Sequence, residues 1–299
     1  MNPEPATSRP ALCWTNILFF ATAHLLAGFA VIHLALVRCS PWTLGLGAVW
    51  LTLCGLSITA GYHRHFAHPT HKAAWPLRAF YLLFGAASVQ HSALKWSSDH
   101  RVHHSDTDED ADPYDARRGF WWSHIGWILF KDERALDLAA VPDLANDRLV
   151  RFQHRHIVLL GILGGGLLPA ALGLLWGDPI GAILCAGFLR LVLQWHATFS
   201  INSLAHMLGT QPYSTRCSAR DSWITAVVTF GEGYHNYHHR FPGDYRNGVR
   251  WYHFDPTKWC LYVASKLRLA WDLRRIPGAA IEAARAEVAR RERVSGPAA

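Results

Sequence analysis

The chain has 299 residues, 51% of them hydrophobic, and a formal net charge of +7. Its six cysteines are scattered without a Cys-x-x-Cys pair, which argues against a disulfide framework and a cysteine metal site. The excess positive charge lies in the last hundred residues, without a basic stripe interleaved with aromatic residues, so we expect contact with anionic lipid headgroups and no nucleic-acid partner.

Two apolar stretches come first, at about residues 13–37 and 41–62, and neither contains Lys, Arg, Asp or Glu. A helix needs about 20 mostly apolar residues to cross the hydrocarbon core of a bilayer. The three residues at 38–40 leave room only for a tight turn between them. This region therefore predicts a hairpin of two transmembrane helices.

A polar segment follows at residues 63–156, and it holds two histidine-rich stretches, HRHFAH at 63–68 and HRVHH at 100–104. In His-x-x-His-His the rings fall at i, i+3 and i+4, which is one face of a helix. His63 and His68 are five residues apart and would diverge on a regular helix. Pro69 predicts that the helix ends near His68, which can then turn inward.

A second apolar pair occupies about residues 157–176 and 179–200, joined at Gly177 and Asp178, with Arg190 as its one charged residue. Four buried helices in a soluble protein are the alternative interpretation, but four such runs exceed what a small soluble core needs. We therefore expect an all-α integral membrane protein with four transmembrane helices in two hairpins.

Residues 201–276 form a second polar segment, with NSLAH at 202–206 and HNYHH at 235–239, and an Ala-, Arg- and Glu-rich tail follows at 277–299. The two polar segments carry most of the lysines and arginines, whereas the two short turns carry only Arg38. By the positive-inside rule, a helical cap made of residues 63–156 and 201–276 faces the cytoplasm together with both termini. We treat residues 1–299 as a single membrane domain.

Ten of the 19 histidines belong to these clusters, and all of them except His65, which is expected to have an ordinary role, can converge on one pocket. These nine are His63, His68, His100, His103, His104, His206, His235, His238 and His239. Neutral imidazole is a very good metal ligand, and nine rings exceed what one ion can take, so the count predicts two metals. The other histidines, such as His24, His124 and His196, are expected to be ordinary core or surface residues.

Imidazole ligands alone suit iron, zinc, copper or nickel. A structural zinc site would need about four ligands, usually including Cys. A hydrolytic zinc site would need a positioned carboxylate, as in H-E-x-x-H, which the sequence lacks. Two irons at a membrane face would instead indicate dioxygen activation and attack on a C–H bond of a lipid, either desaturation or hydroxylation.

Two acidic patterns are weaker candidates. Residues 106–112, DTDEDAD, begin like a calcium loop, but Ala111 stands where glycine is needed and Arg117 where the bidentate Glu should be. Glu232 and His235 form a single E-x-x-H, half of the motif of soluble di-iron bundles, so we expect Glu232 to orient a ligand histidine.

The three histidine boxes resemble those of the membrane fatty-acid desaturases, and the finer match is to the acyl-CoA Δ9, stearoyl-CoA-type, branch. The resemblance covers about residues 45–262. It includes D-H-R-x-H-H at 99–104, A-D-P at 111–113, R-R-G-F-x-x-S-H-x-G-W at 117–127, N-S-x-x-H at 202–206 and G-E-G-Y-H-N-Y-H-H-x-F-P-x-D-Y-R at 231–246.

This resemblance implies a four-helix membrane stem, a cytoplasmic cap with two iron ions, and ligand roles for the nine histidines. It also implies that Asn202 holds a water on one iron. The implied reaction removes two hydrogens from adjacent methylenes of a bound saturated chain, and dioxygen is reduced to water. Trp96 is a candidate for the wall of the acyl tunnel, with an ordinary core role as the alternative.

The sequence departs from the animal enzymes where they hold the CoA phosphates. They carry a basic residue where Ser98 stands here, and a basic pair where this chain has Lys131 followed by Asp132. Lys131 therefore remains a candidate substrate contact, and the substrate can be an acyl-CoA, a phospholipid-bound acyl chain or an acyl-carrier protein. We expect the electrons to come from a separate donor protein.

Two other functions compete with a desaturase. A related di-iron hydroxylase or ketolase would give an oxygenated product instead of an alkene. A membrane protein that only binds or transports metal would have acidic or polar residues within its spans, where this chain has only the charge of Arg190.

Overall fold

The computed structural model describes residues 11–131 and 136–295, and within these ranges the chain is mostly helical. Three stretches lie outside the described residues: 1–10 in the predicted cytoplasmic N-terminus, 132–135, which include Asp132 beside Lys131, and 296–299 at the end of the tail.

Four helices in the described chain are long and apolar enough to cross a membrane, which confirms the predicted number. The first to fourth apolar helices are Trp14–Val37, Pro41–Ala67, Ile157–Trp176 and Pro179–Met207. The second and fourth extend beyond the predicted ends at 62 and 200, so that they carry the first and third histidine-rich stretches on their last turns.

Shorter elements fill the two polar segments. Before the third apolar helix these are the helices Trp75–Ala87, Ala93–Ser105, Ala116–Arg118, Trp122–Gly126, Trp127–Leu129, Pro142–Ala145 and Arg148–Arg155. After the fourth they are the helices Trp223–Val228, His235–Arg240, Pro256–Lys266 and Gly278–Ser295. Lys72–Ala73 and Ala270–Trp271 pair as a short antiparallel sheet, which the all-α prediction did not include.

The last part of the second apolar helix, Ser57–Ala67, is wound as a π-helix. The amide of His68 donates to the carbonyl of His63 at 2.9 Å, so residues five apart are joined across one turn. The helix ends there as predicted, and the two rings lie 5.1 Å apart. The two rings therefore approach each other, in agreement with the predicted inward turn of His68, but they do so through a wider turn that brings positions i and i+5 onto one face.

Small residues let the first apolar helix approach the fourth closely. Ala23, Ala27 and Ala30 are buried, and the rings of Phe20 and Trp195 lie 4.4 Å apart. Close backbone approach through small side chains is a common way for membrane helices to associate.

A chain of hydrogen-bonded histidines reinforces this contact. Nε2 of His24 lies 3.1 Å from Nε2 of His196, whose Nδ1 lies 3.0 Å from Nε2 of His124, and Nδ1 of His124 lies 2.9 Å from Oγ of Ser203. These three histidines are thus satisfied within the protein interior, in agreement with the ordinary roles expected for them.

The two short connections lie side by side at the far end of the apolar helices. Thr43 donates to Asp178 at 2.6 Å, and Nε2 of His33 lies 3.0 Å from the same carboxylate. Arg38 donates to the carbonyls of Trp176 and Gly177, at 3.1 Å each. These bonds tie the turn between the first pair of helices to the turn between the second pair.

Candidate metal centre

The nine predicted histidines come together at the cap ends of the second and fourth apolar helices, in two adjoining groups. The five-histidine group contains His63, His68, His100, His104 and His238, and the four-histidine group contains His103, His206, His235 and His239. Within each group the ligand atoms lie within 4.8 Å of one another. The rings of His104 and His239 stack at 4.3 Å where the groups meet.

Two short helices distribute their histidines between both groups. On Ala93–Ser105, His100 and His104 enter the five-histidine group and His103 enters the other. On His235–Arg240, His235 and His239 enter the four-histidine group, whereas His238 enters the five-histidine group. On each helix the histidines at i and i+4 therefore lie in one group and the histidine at i+3 lies in the other. The spacing predicted that all three rings share one helical face, but it did not predict this distribution between two groups.

The hydrogen bonds behind two of the rings leave their inward nitrogens unprotonated, as ligands for a metal. Nδ1 of His63 donates to Glu232 and Nδ1 of His103 donates to Asp112, both at 2.8 Å. Each ring then presents an unprotonated Nε2 inward. Nε2 of His103 and of His206 are buried without a hydrogen-bond partner, and Nε2 of His235 faces Nε2 of His239 at 3.0 Å. Buried polar atoms rarely stay unpaired, so these residues fit a centre that holds metal ions.

The surroundings keep at least five of the nine imidazoles neutral, which is the form that binds metal. Burial, and then repulsion between neighbouring rings, lowers the pKa well below its ordinary value for His100, His104, His235, His238 and His239.

Glu232 acts on His63 rather than on His235, its partner in the E-x-x-H pattern. Its carboxylate also accepts from Arg64 at 2.8 Å and from Asn247. Burial would raise the pKa of Glu232, but Arg64 and His63 outweigh burial and lower it. The carboxylate is therefore ionised and holds the His63 ring by a charge-assisted hydrogen bond.

A cavity of about 730 Å³ extends from the five-histidine group between the apolar helices. His63, His100 and Asn202 line its cap end, and Gly165 and Ile183 line its far part. Along the fourth apolar helix the lining runs from Asn202 back to Ile183, roughly 28 Å of helix. A cavity this long and mostly apolar suits an extended hydrocarbon chain.

Of the two predicted substrate contacts, the cavity includes one. Trp96 lines it and stacks on His100, with ring centroids 4.7 Å apart. Lys131 is exposed and is not among the residues that line the cavity, and its amide donates to the carbonyl of Ala11 at 2.8 Å. A substrate role for Lys131 therefore concerns at most a headgroup outside the cavity.

Sequence reasoning missed three residues behind the four-histidine group: Asp108, Asp112 and Ser218. Asp112 accepts from His103, and Ser218 lies 2.7 Å from Nδ1 of His206 and donates to Asp108 at 2.7 Å. The two aspartates belong to the acidic stretch that resembled a calcium loop. No spacing rule connects them to histidines from other segments, so only the folded chain identifies their role.

Comparisons of the sequence with known proteins identify its relatives. The family model of fatty acid desaturases matches residues 40–264. Acyl-CoA desaturase 1 of Saccharomyces cerevisiae is 51% identical over 232 residues, which are 77% of this chain and 46% of that protein. A probable acyl-CoA desaturase of Schizosaccharomyces pombe is 45% identical over 269 residues, 88% of this chain and 56% of that protein.

An animal relative matches over more of its own length. Stearoyl-CoA desaturase 5 of Bos taurus is 35% identical over 293 residues, which are 95% of this chain and 86% of that protein. The chain thus spans about half the length of the two yeast relatives and most of the length of the bovine one.

Proposed function

Since this chain belongs to the fatty acid desaturase family, we propose that it is an oxygen-dependent fatty-acyl desaturase that introduces a cis double bond, at Δ9, into a saturated acyl chain. The observation that carries the proposal is the long apolar cavity that ends at His63 and His100 of the five-histidine group. It would present a methylene pair of a bound chain to a metal centre and shield the chain from water.

The proposed cofactor is a pair of iron ions, with the nine histidines as ligands and Asn202 as the residue that holds a water molecule at one of them. Iron supplies the oxidising chemistry that no amino-acid side chain provides. The reaction balances as one saturated chain, one dioxygen, two electrons and two protons, which give one alkene and two waters. The two hydrogens removed from the chain complete the second water.

The protein's own residues would bind and orient the chain. Trp96 stacks on His100 and forms part of the wall beside the reacting carbons. Gln90 donates to Thr198 at 3.1 Å, and both line the cavity, so this bond would fix the path of the chain past Trp96. The relatives named acyl-CoA and stearoyl-CoA desaturases support a CoA thioester as substrate, with Lys131 as a contact of its headgroup.

The topology belongs to the same proposal. The apolar helices form two hairpins, the remaining segments form a cap that faces the cytoplasm with both termini, and residues 1–299 act as one domain. The bonds between the two short turns support the hairpins. The two electrons would come from a separate donor protein.

Expression in a host that lacks its own desaturase tests the function. Fatty-acid methyl esters from these cells should contain new double bonds, located by mass spectrometry. His103→Ala and His238→Ala, which remove one ligand from each group, should abolish them while the protein stays in the membrane. His156→Ala, outside both groups, should retain activity.

The outcomes separate the competing functions. An alcohol in place of the alkene would indicate a related hydroxylase. Full activity of either ligand variant would contradict the proposed metal centre.

A further inference from the structure

The two histidine groups differ in the charged residues behind their rings. Behind the four-histidine group, Asp112 accepts directly from His103. Asp108 contacts its histidine indirectly, through Ser218. It accepts from the hydroxyl and the amide of Ser218, and the same hydroxyl lies 2.7 Å from Nδ1 of His206. Among the described lysines and arginines, none forms an ion pair with Asp108 or Asp112.

In the five-histidine group, the described structure has one carboxylate that accepts from a ligand histidine, and a neighbouring cation offsets its negative charge. Glu232 accepts from His63, but its other oxygen accepts from the buried guanidinium of Arg64. Arg64 also pairs with Asp255, and burial lowers the pKa of Lys258 to about 8 although the charge of Asp255 favours its ammonium form. Two cations thus face two carboxylates in this cluster.

A carboxylate that accepts from the outer nitrogen of a ligand histidine makes its inner nitrogen a stronger donor to a metal. A cation beside the carboxylate weakens this effect, because its positive charge offsets the negative charge that the histidine experiences. The four-histidine group has two ligands supported by unbalanced carboxylates, and the five-histidine group has one ligand supported by a balanced carboxylate.

We infer that the four-histidine group is the tighter of the two metal sites and that Asp108, acting through Ser218, is a positioning residue for His206. The inference rests on the proposed function, in that it takes the metals to be two irons. If the number of histidines alone set the affinity, the five-histidine group would be the tighter site. A measurement of metal retention can therefore decide whether ligand number or the supporting carboxylates set the order of affinity.

Asp108 also offers a clean substitution. Its φ of 64° lies in the left-handed region, which asparagine tolerates about as well as aspartate. Asp108→Asn should thus keep the turn and one acceptor oxygen while it removes the charge. Asp110→Asn is the matched control, because Asp110 lies in the same loop, is exposed and pairs only with the half-exposed Arg117.

The test uses the full-length, iron-loaded protein in detergent and measures iron per protein across a series of chelator concentrations. In the wild type, the first iron should leave at a lower chelator concentration than the second. Asp108→Asn and Ser218→Ala should lose the tightly held iron at chelator concentrations about 10- to 100-fold lower, while the other iron is unaffected. Asp110→Asn and the hydroxyl-retaining Ser218→Thr should match the wild type.

Mössbauer spectra of the same samples would show whether one of two iron signals disappears selectively. Unchanged iron retention in Asp108→Asn and Ser218→Ala, or parallel loss of both irons, would overturn the inference and leave the proposed function intact. An active wild-type protein without iron would overturn the proposed function itself. If Asp108→Asn does not fold, the comparison of Ser218→Ala with Ser218→Thr decides alone.

Discussion

Glu232 illustrates how one buried side chain connects the metal centre to the fold. Its two oxygens receive hydrogen bonds from His63, Arg64 and Asn247, and the carboxylate is only 1% exposed. A buried charge is tolerated only when it is paired and hydrogen-bonded, as it is here. The same contacts that stabilise the charge fix the orientation of a predicted ligand.

Replacement of Glu232 by Gln should therefore affect both metal retention and stability. We expect the five-histidine group to retain iron about 10-fold less well, the smaller effect that a balanced carboxylate implies, because His63 loses its charged acceptor. The unfolding free energy should fall by about 3 kcal/mol, because Arg64 keeps only Asp255 as a charged partner. Iron analysis and denaturant unfolding in detergent measure the two effects.

Glu282→Gln provides the control for this variant. Glu282 is 70% exposed and lies 3.6 Å from Arg285, so it should change neither quantity. Wild-type iron retention in Glu232→Gln would show that the contact to His63 is not needed to hold the metal.

The π-helical end of the second apolar helix shows where prediction from sequence reached its limit. Apolar run lengths predicted four helices, and the i, i+3, i+4 spacing predicted converging histidines, because both are local properties of a helix. The wider turn at Ser57–Ala67 has no residue signature, so the approach of His68 to His63 could be predicted only through Pro69. The contact of Asp108 with Ser218 depends on residues 110 positions apart and could not be predicted.

Asp244 joins the His235–Arg240 helix to the chain before the C-terminal helix. It accepts from the hydroxyl of Tyr237, from Arg246 and from the amide of Ile276, all at 2.8 Å. Burial would raise the pKa of Asp244, but the bonds from Arg246 and Ile276 outweigh burial and lower it. The ionised carboxylate therefore stabilises the fold at neutral pH.

A lowered pKa in the folded state means that this stabilisation is complete above the ordinary value, near 4, and is lost as the pH falls through the folded value. Asp244→Asn should lower the unfolding free energy by about 2 kcal/mol at pH 7. The difference from the wild type should shrink as the pH falls below about 4. Thermal unfolding of the metal-free proteins in detergent between pH 3 and 7 checks this, and a constant difference would contradict it.

At the scale of the whole molecule, the cavity relates the packing of the apolar helices to substrate choice. Glycines of the third and fourth apolar helices, Gly161, Gly165, Gly166 and Gly187, line it and leave space where larger side chains would fill it. A Cβ atom at Gly166 would have Ile183 as its nearest neighbour, at 3.9 Å, so this position can take a side chain that projects into the cavity.

Gly166→Phe should accordingly shift the products towards shorter acyl chains. Each methylene that can no longer be buried costs about 0.8 kcal/mol, so the loss of two should change the ratio of long to short products about tenfold. Methyl-ester analysis of cells fed mixed chain lengths measures the ratio. Gly28→Phe is the control, since nothing lies within 4 Å of its added Cβ, and an unchanged ratio in Gly166→Phe would show that this part of the cavity does not hold the chain.

The two ends of the apolar helices differ in how much chain they carry, because the end opposite the metal centre has only the two joined turns. Residues 38–40 and 177–178 are all that connects the apolar helices at that end, and Ser40 and Asp178 are buried. Arg38, Cys39 and Gly177 are exposed there, so a protease or antibody added at that end of the described chain would find only a few residues outside the apolar helices. If the cap faces the cytoplasm as proposed, cellular quality control, including tagging for degradation and extraction from the bilayer, would act from the cap side.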